Sequence, residues 1–402
     1  MFAKKRLGTR ANLSRFSAYG FYARALTQAK SAYATPQRPA DSHEILALTG
    51  IRGISASLVV LFHFYNSWVL LLPSLQSCEP LALRGHLGVD LFFILSGFIL
   101  AYVYSAGDFR PGISEYLRFL WFRIARIYPN HLITVIALAL LVFIAQECGI
   151  AISGDYPLSG LPFQLTLTHA WPWLEGGKWN YPSWTISAEW FAYLCMFPAG
   201  WYLLRLRSLG GLWFLLIGYF VLALWLFVLP PLEHGGSLLQ VSCEFIAGSM
   251  FFGVFTHLSS ARNICRRYVS AIFVLITALL LFLPVDVPSA SALVVLFFPL
   301  LLIGLTSETA LLSKFLSSAP ALWLGRVSYA LYMSHALAQK IIKIVLPSEH
   351  YVDSSLTIRL LLLSVNILLV LLFAAALYYM VEIPSRNYLR RLTFSRSRVA
   401  RV

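Results

Sequence analysis

Arg52 and His63 lie in the stretch GIRGISASLVVLFHFY, residues 50–65, which is otherwise apolar enough to cross a membrane. At about 100° per residue, 11 residues of separation put both on one helix face, about 16 Å apart along the axis. Each is costly in hydrocarbon, and an intramembrane ionisable group marks function by default. The plainer alternative is a snorkelling or helix-packing polar group. The shared face, and the distance of Arg52 from the helix start, favour function. A guanidinium is a fork suited to phosphate or carboxylate, and an imidazole is the usual general base near neutral pH.

Further ionisable residues recur in apolar surroundings. Asp90 opens the run GVDLFFILSGF and needs a partner or water. Glu189 sits in WTISAEWF between Trp184 and Trp190, Glu244 in QVSCEFIAG, and His335 in SYALYMSHAL. A buried carboxylate without a partner is expensive, whereas a lone membrane histidine is often only an interhelical hydrogen bond. Ser96, beside Gly97 and near Gly88, reads as close helix packing, since no G-x-S-x-G nucleophile turn surrounds it. Arg123 and Arg126, in RFLWFRIARIYP after the second apolar run, share a helical face. They suit phosphate binding, or serve as topology markers only.

The elements that must position these groups are helices. The chain has 402 residues, 59% hydrophobic and 12% charged, with a mean hydropathy of +0.73. A soluble domain is about a quarter charged, so an all-α integral membrane protein is expected. Apolar runs of spanning length fall near 46–72, 87–106, 128–148, 183–204, 211–229, 238–257, 269–284, 289–306, 322–346 and 356–381. That predicts about ten transmembrane helices, with N- and C-termini cytoplasmic. The net charge of +14 follows from this topology, because 25 of the 31 Lys and Arg residues fall on the expected inner side. Nucleic-acid binding is therefore excluded as the explanation of the charge.

Residues 1–44 form a basic arm with no apolar h-region, either lying on anionic lipid or serving as a transit-like presequence. No internal repeat is evident. The expected outer loop, about 149–182, is rich in Trp, Tyr, Gly and Pro, including Trp179 and Tyr181. Its aromatics form an interfacial belt or a platform for a flat polar ligand such as a sugar ring. The five cysteines have no metal-binding spacing, no metal site is expected, and Cys78 and Cys148 read as unrelated small apolar residues.

The segments RGISASLVVLFH, GVDLFFILSGF, RIARIYP, WTISAEW, LGRVSYALYMSH and VEIPSR, in that order, resemble the membrane-bound acyltransferase 3 family, whose members O-acylate sugars. The resemblance covers about 45–386, leaving 387–402 as a basic cytoplasmic tail with no SGNH-type domain appended. It implies a donor acyl-CoA, usually acetyl-CoA, and a glycan or lipid-linked sugar acceptor of a cell-surface or exopolysaccharide, at a bacterial inner membrane. It identifies Arg52 and His63 as the family's essential pair and Arg123 with Arg126 as its RxxR. On that reading His63 is the general base or a transient acyl carrier. Asp90 or Glu189 orients it. Arg52 meets phosphate or the thioester carbonyl. Trp179, Tyr181, Trp184 and His335 face the acceptor. The competing readings are a transporter, an acyl-group translocator feeding a separate transferase, and a scaffold among polysaccharide-assembly partners.

Overall fold

The computed structural model describes residues 44–105, 112–151, 156–172, 174, 179–199, 236–257, 259–283, 288–306 and 310–399. Every regular element among them is helical. The main helices are α1 Leu46–Leu71, α2 Leu87–Ser105, α3 Ile113–Glu147, α4 Trp184–Phe191 and α5 Gly236–His257. Then follow α6 Ser259–Phe282, α7 Pro288–Leu305, α8 Ala319–Val345, α9 Leu356–Ala376 and α10 Ile383–Val399. Among the described residues four stretches are long and apolar enough to cross a membrane: Leu46–Leu71, Pro73–Tyr104, Ile113–Glu147 and Leu356–Leu392. Leu238–Gly253, Tyr268–Phe282 and Ser291–Leu305 are apolar but shorter. The expected span over 211–229, the end of the one over 183–204, and the arm up to residue 43 lie outside the described residues.

The third apolar run was expected to start a helix at 128, yet α3 begins at Ile113 and carries Pro129 in its interior. Hydropathy marks only the apolar part of a helix, and the arginine-dense turn before it is helical too. An internal proline costs its own hydrogen bond and bends the helix, but 35 residues of α3 hold the rest of the ladder. Arg123 and Arg126 therefore stand on a rigid helix instead of a loop.

Glycines set how closely the helices pack. A Cβ built on Gly97 would lie 1.9 Å from the Phe245 carbonyl oxygen of α5, and one on Gly248 would lie 1.9 Å from that of Ile94 in α2. The α1–α8 pair is equally close, with a Cβ on Gly325 meeting Thr49 O at 1.9 Å and one on Gly53 meeting Gly325 N at 2.8 Å. Such backbone contact replaces the hydrophobic drive that lipid cannot supply between apolar helices. Buried Phe98, Ile94 and Leu95 of α2 join Leu301 and Leu302 of α7 in one core; Phe119 and Ile127 of α3 join Tyr193 and Val327 in another.

Two departures from α geometry flank the interior. Ala192–Met196 after α4 and Leu377–Glu382 after α9 are π turns, which re-aim Tyr193 and Glu382 respectively. At the far end Arg84, only 1% exposed, donates to the carbonyls of Leu280 (2.7 Å) and Leu283. Those carbonyls end α6, so the guanidinium caps its negative pole. Cys78 and Cys148 are both free thiols.

Candidate active site

An internal cavity of about 80 Å³ lies between α1, α2, α3, α4 and α8. Arg52, Arg123, Arg126 and Glu189 supply its charges; Tyr193, Tyr329, Tyr332, Phe92 and Phe93 supply most of its aromatic wall. Glu189 accepts hydrogen bonds from Ser96 Oγ at 3.1 Å and from the Tyr193 hydroxyl. The Arg52 and Arg123 guanidiniums lie within electrostatic reach of this carboxylate. Arg123 is stacked over the Phe119 and Tyr193 rings at 5.5 and 5.8 Å. One layer away, buried Glu382 accepts from Asn130 Nδ2 at 2.9 Å and pairs with Arg386 at 3.6 Å. The charge in this half of the bundle is therefore organised around arginines, with each carboxylate held by neutral donors as well.

Farther along α1 the chemistry changes from charged to aromatic. The His63 ring lies 4.6 Å from Tyr181 and stacks on His335 with centroids 5.1 Å apart. His335 is fully buried, and its Nδ1 lies 2.6 Å from the Tyr332 carbonyl oxygen. A carbonyl can only accept, so in the neutral ring Nδ1 carries the proton and Nε2 offers a lone pair. Among the described residues that Nε2 has no hydrogen-bond partner. Gln339 ties the cluster together: it accepts from the Tyr181 hydroxyl at 3.3 Å and donates to the His63 carbonyl. The Tyr332 hydroxyl donates to Pro182 O at 3.1 Å, and its ring meets Phe92 at 6.0 Å and His335 at 5.7 Å. Phe92 and Tyr332 thus line the cavity, and Tyr332 also meets His335, whereas His63, His335 and Tyr181 are not among the lining residues.

A buried polar lattice fixes the segment that presents Tyr181. His131 of α3 bonds Gln164 O at 2.9 Å and stacks on His169 at 5.4 Å, and His169 Nε2 lies 3.0 Å from Ser183 Oγ. Ser183 Oγ spends its own proton on Asn180 O at 2.7 Å, so His169 donates to it. Asn180 Nδ2 in turn donates to Met333 O of α8 at 3.1 Å. A backbone knitted to α3 and α8 in this way holds Tyr181 as firmly as a helix would.

The residues singled out from sequence separate into three groups. Arg52, Arg123, Arg126 and Glu189 meet in the cavity. His63, His335 and Tyr181 form the second cluster, and among the described residues no hydrogen bond or ion pair joins either Asp90 or Glu189 to it. Asp90 instead accepts from Gln240 Nε2 at 2.8 Å, and Gln240 also reaches Glu244 at 3.2 Å. Trp184 lies beside Phe93, with centroids 6.2 Å apart. Trp179 is 3% exposed and donates its Nε1 proton to Pro157 O at 2.9 Å.

Residues 45–380 match the acyltransferase domain of the acyltransferase 3 family. The chain belongs to that family. Acyltransferase MdmB of Streptomyces mycarofaciens is 31% identical over 176 residues, 43% of each chain. Protein 2 in the picA locus of Rhizobium radiobacter is 37% identical over 100 residues, 24% of this chain and 43% of the relative. The match thus spans less than half the length of either relative. No solved structure matches. The acyltransferase 3 domain holds nearly the whole site, and Glu382 and Arg386 lie just past residue 380.

Several residues of the site escaped the sequence reading. Ser96 is more than a packing residue, because its hydroxyl holds Glu189. Tyr193 had a visible signal: it stands four residues after Glu189, the spacing of helical neighbours. Tyr332 and Gln339 had none beyond lying three before and four after His335.

Proposed function

We propose that this chain is an O-acyltransferase that moves an acyl group, acetyl in the simplest case, from acyl-CoA to a sugar hydroxyl of a cell-surface or exopolysaccharide. The observation that carries this reading is the pairing of a cavity lined by Arg52, Arg123 and Arg126 with a His63–His335–Tyr181 cluster farther along α1. The arginine end faces the cytoplasm of a bacterial inner membrane and admits the donor; the histidine end meets the acceptor.

Arg123 and Arg126 take the nucleotide phosphates of CoA, where forked guanidiniums bind best. Arg52 and His63 stand about 16 Å apart on α1, too far to act on one carbonyl carbon. The pantetheine arm is about as long as four extended residues, roughly 14 Å at 3.3–3.6 Å each. Arg52 therefore serves the phosphate end, and the thioester reaches toward His63. The sugar hydroxyl gives its proton to His63 as its oxygen attacks the thioester carbon; the C–O bond forms, the C–S bond breaks, and the thiolate leaves and is reprotonated. The free Nε2 of His335 and the Tyr181 face suit the polar edge and flat face of a sugar ring. Glu189 balances the cavity's arginines, and Asp90 has no place among the reacting groups.

Membranes carrying the intact protein or His63→Ala are incubated with radiolabelled acetyl-CoA and the host glycan fraction. Alkali-labile label on glycan appears with the intact protein alone. Equal label with His63→Ala overturns the role of His63. Label crossing sealed vesicles without ester formation selects the transporter reading.

A further inference from the structure

The C-terminal helix α10 lies outside the family match, yet it is docked against the arginine end of the site. Trp121 of α3 donates its indole proton to Leu389 O at 3.0 Å. Phe122 carries the guanidinium of Arg118 at 5.5 Å and that of Arg390 at 5.8 Å. Arg390 is thereby held within electrostatic reach of Arg386, Arg123, Arg126 and the Tyr104 ring. Tyr104 interacts with Arg123 as well, and stacks edge-on to Phe119, which lies under Arg123. These contacts bring Arg390 beside the turn of α3 that carries the RxxR pair.

Four guanidiniums gathered this closely repel one another. Among the described residues Glu382 is the carboxylate ion-paired there, with Arg386, and Asn130 shares it. Glu189 lies deeper and is already held by Ser96 and Tyr193. Among the described residues the Nε atoms of Arg123 and Arg390 are both covered and have no hydrogen-bond partner, although the Arg123 side chain also bonds Tyr193. Like charges brought together at a cost, with buried donors unspent, describe a site built for a polyanion. Aromatic faces beneath Arg123 and Arg390 fix the forks in place before the anion arrives, which saves ordering cost on binding.

We propose that Arg390, with Arg386 beside it, completes a four-arginine phosphate site with Arg123 and Arg126, and that its ligand is the phosphorylated nucleotide of CoA. This rests on the donor assignment above. The same chemistry is offered by an anionic lipid headgroup, so the test must separate the two sources.

The full-length protein is reconstituted in nanodiscs of neutral phosphatidylcholine, and acetyl-CoA binding is measured for wild type, Arg390→Gln, Arg390→Lys and Arg123→Gln. One lost charge-assisted contact weakens acetyl-CoA roughly tenfold in Arg390→Gln. The salt dependence of its binding flattens, and Arg390→Lys recovers part of the loss. Binding of acetyl-pantetheine, which lacks the nucleotide, is the same in all four proteins. Without ligand Arg390→Gln melts no lower than wild type, because a repulsion has been removed. Unchanged acetyl-CoA affinity in Arg390→Gln beside a loss in Arg123→Gln overturns this inference and leaves the donor reading intact. An Arg390→Gln defect that appears only when phosphatidylglycerol is added assigns the site to lipid and overturns it. A wild type that binds no acetyl-CoA sinks the donor reading itself, and this site with it.

Discussion

Gly325→Ala tests whether the α1–α8 contact sets the geometry of the histidine cluster. A Cβ at position 325 would lie 1.9 Å from Thr49 O and 2.6 Å from Thr49 C, both backbone atoms. A carbon rests about 3.3 Å from a carbonyl oxygen at closest, so the helices must part by about 1.4 Å. No rotamer change relieves this, because neither partner is a side-chain tip. Overpacking of that kind costs about 1–3 kcal/mol of stability. The catalytic effect is larger: His63 and Thr49 ride on α1, while His335 and Gln339 ride on α8. A gap opened at Gly325 carries to the 5.1 Å His63–His335 contact, and a displacement of about 1 Å can cost 10²-fold in rate. The assay is initial rate of acetyl transfer together with a thermal melt in detergent, with Gly112→Ala as control, since nothing lies within 4 Å of a Cβ there. The expected outcome is a melt lowered by a few degrees and a rate lowered about a hundredfold, with the control unchanged. Wild-type rate and melt in Gly325→Ala would refute the claim that this contact holds the two histidines together.

Two further outcomes follow from the cavity and from the segment behind it. Phe92 lines the cavity and packs on Tyr332, whose ring also meets His335, so Phe92→Ala enlarges the space that the proposed acyl group occupies. One methylene is worth roughly 10–200-fold in a fitted pocket, and the propionyl-to-acetyl rate ratio rises about tenfold; an unchanged ratio rejects Phe92 as the limit. His169, on the loop, is pushed from 6.5 down to about 3, by burial first and the charge of His131 second. The unfolded chain then binds a proton between about pH 6.5 and 3 that the folded chain does not. Stability is full above that window and falls as pH drops through it, by up to ~1.4 kcal/mol per unit. His169→Gln is less stable at pH 7.5 but flatter in its melts down to pH 5, and parallel melts against pH for the two proteins would count against this account.

The part of the site that lay within one helix was legible in the sequence, and the part that depended on helix pairing was not. Arg52 and His63 share α1, so their spacing alone gave their relation. Asp90 and Glu189 looked interchangeable as carboxylates, and their separation was decided elsewhere. The close approaches at Gly97 and Gly248 draw α2 against α5 and deliver Asp90 to Gln240, while another face of α2 sends Ser96 to Glu189. His335 read as an acceptor contact or an interhelical hydrogen bond, and that its Nδ1 partner is the backbone of its own helix is something no pattern reveals. The start of α3 was missed for a different reason: hydropathy stops at the arginines, and helical hydrogen bonding does not.

The absence of a carboxylate bonded to His63 among the described residues bears on the proposed chemistry. A polyanionic donor demands cations, and the cations demand some compensation, which Glu189 and Glu382 provide at the arginine end. The proposed reacting pair, a thioester and an alcohol, is itself neutral. Placing the proposed base among the rings of Tyr181, His335 and Phe62 keeps fixed charge away from a half-buried imidazole, where an unbalanced carboxylate would be costly. Orientation, which a carboxylate would otherwise supply, comes instead from ring stacking on His335 and from the Gln339 tie to the His63 backbone. The cost of this arrangement is a weaker base than a carboxylate-paired histidine. It is offset if the second imidazole, with its free Nε2, shares the proton leaving the sugar. His335→Gln, which removes that lone pair while keeping a polar side chain, then lowers the rate more than it lowers acceptor affinity; an effect on affinity alone would reduce His335 to a sugar contact.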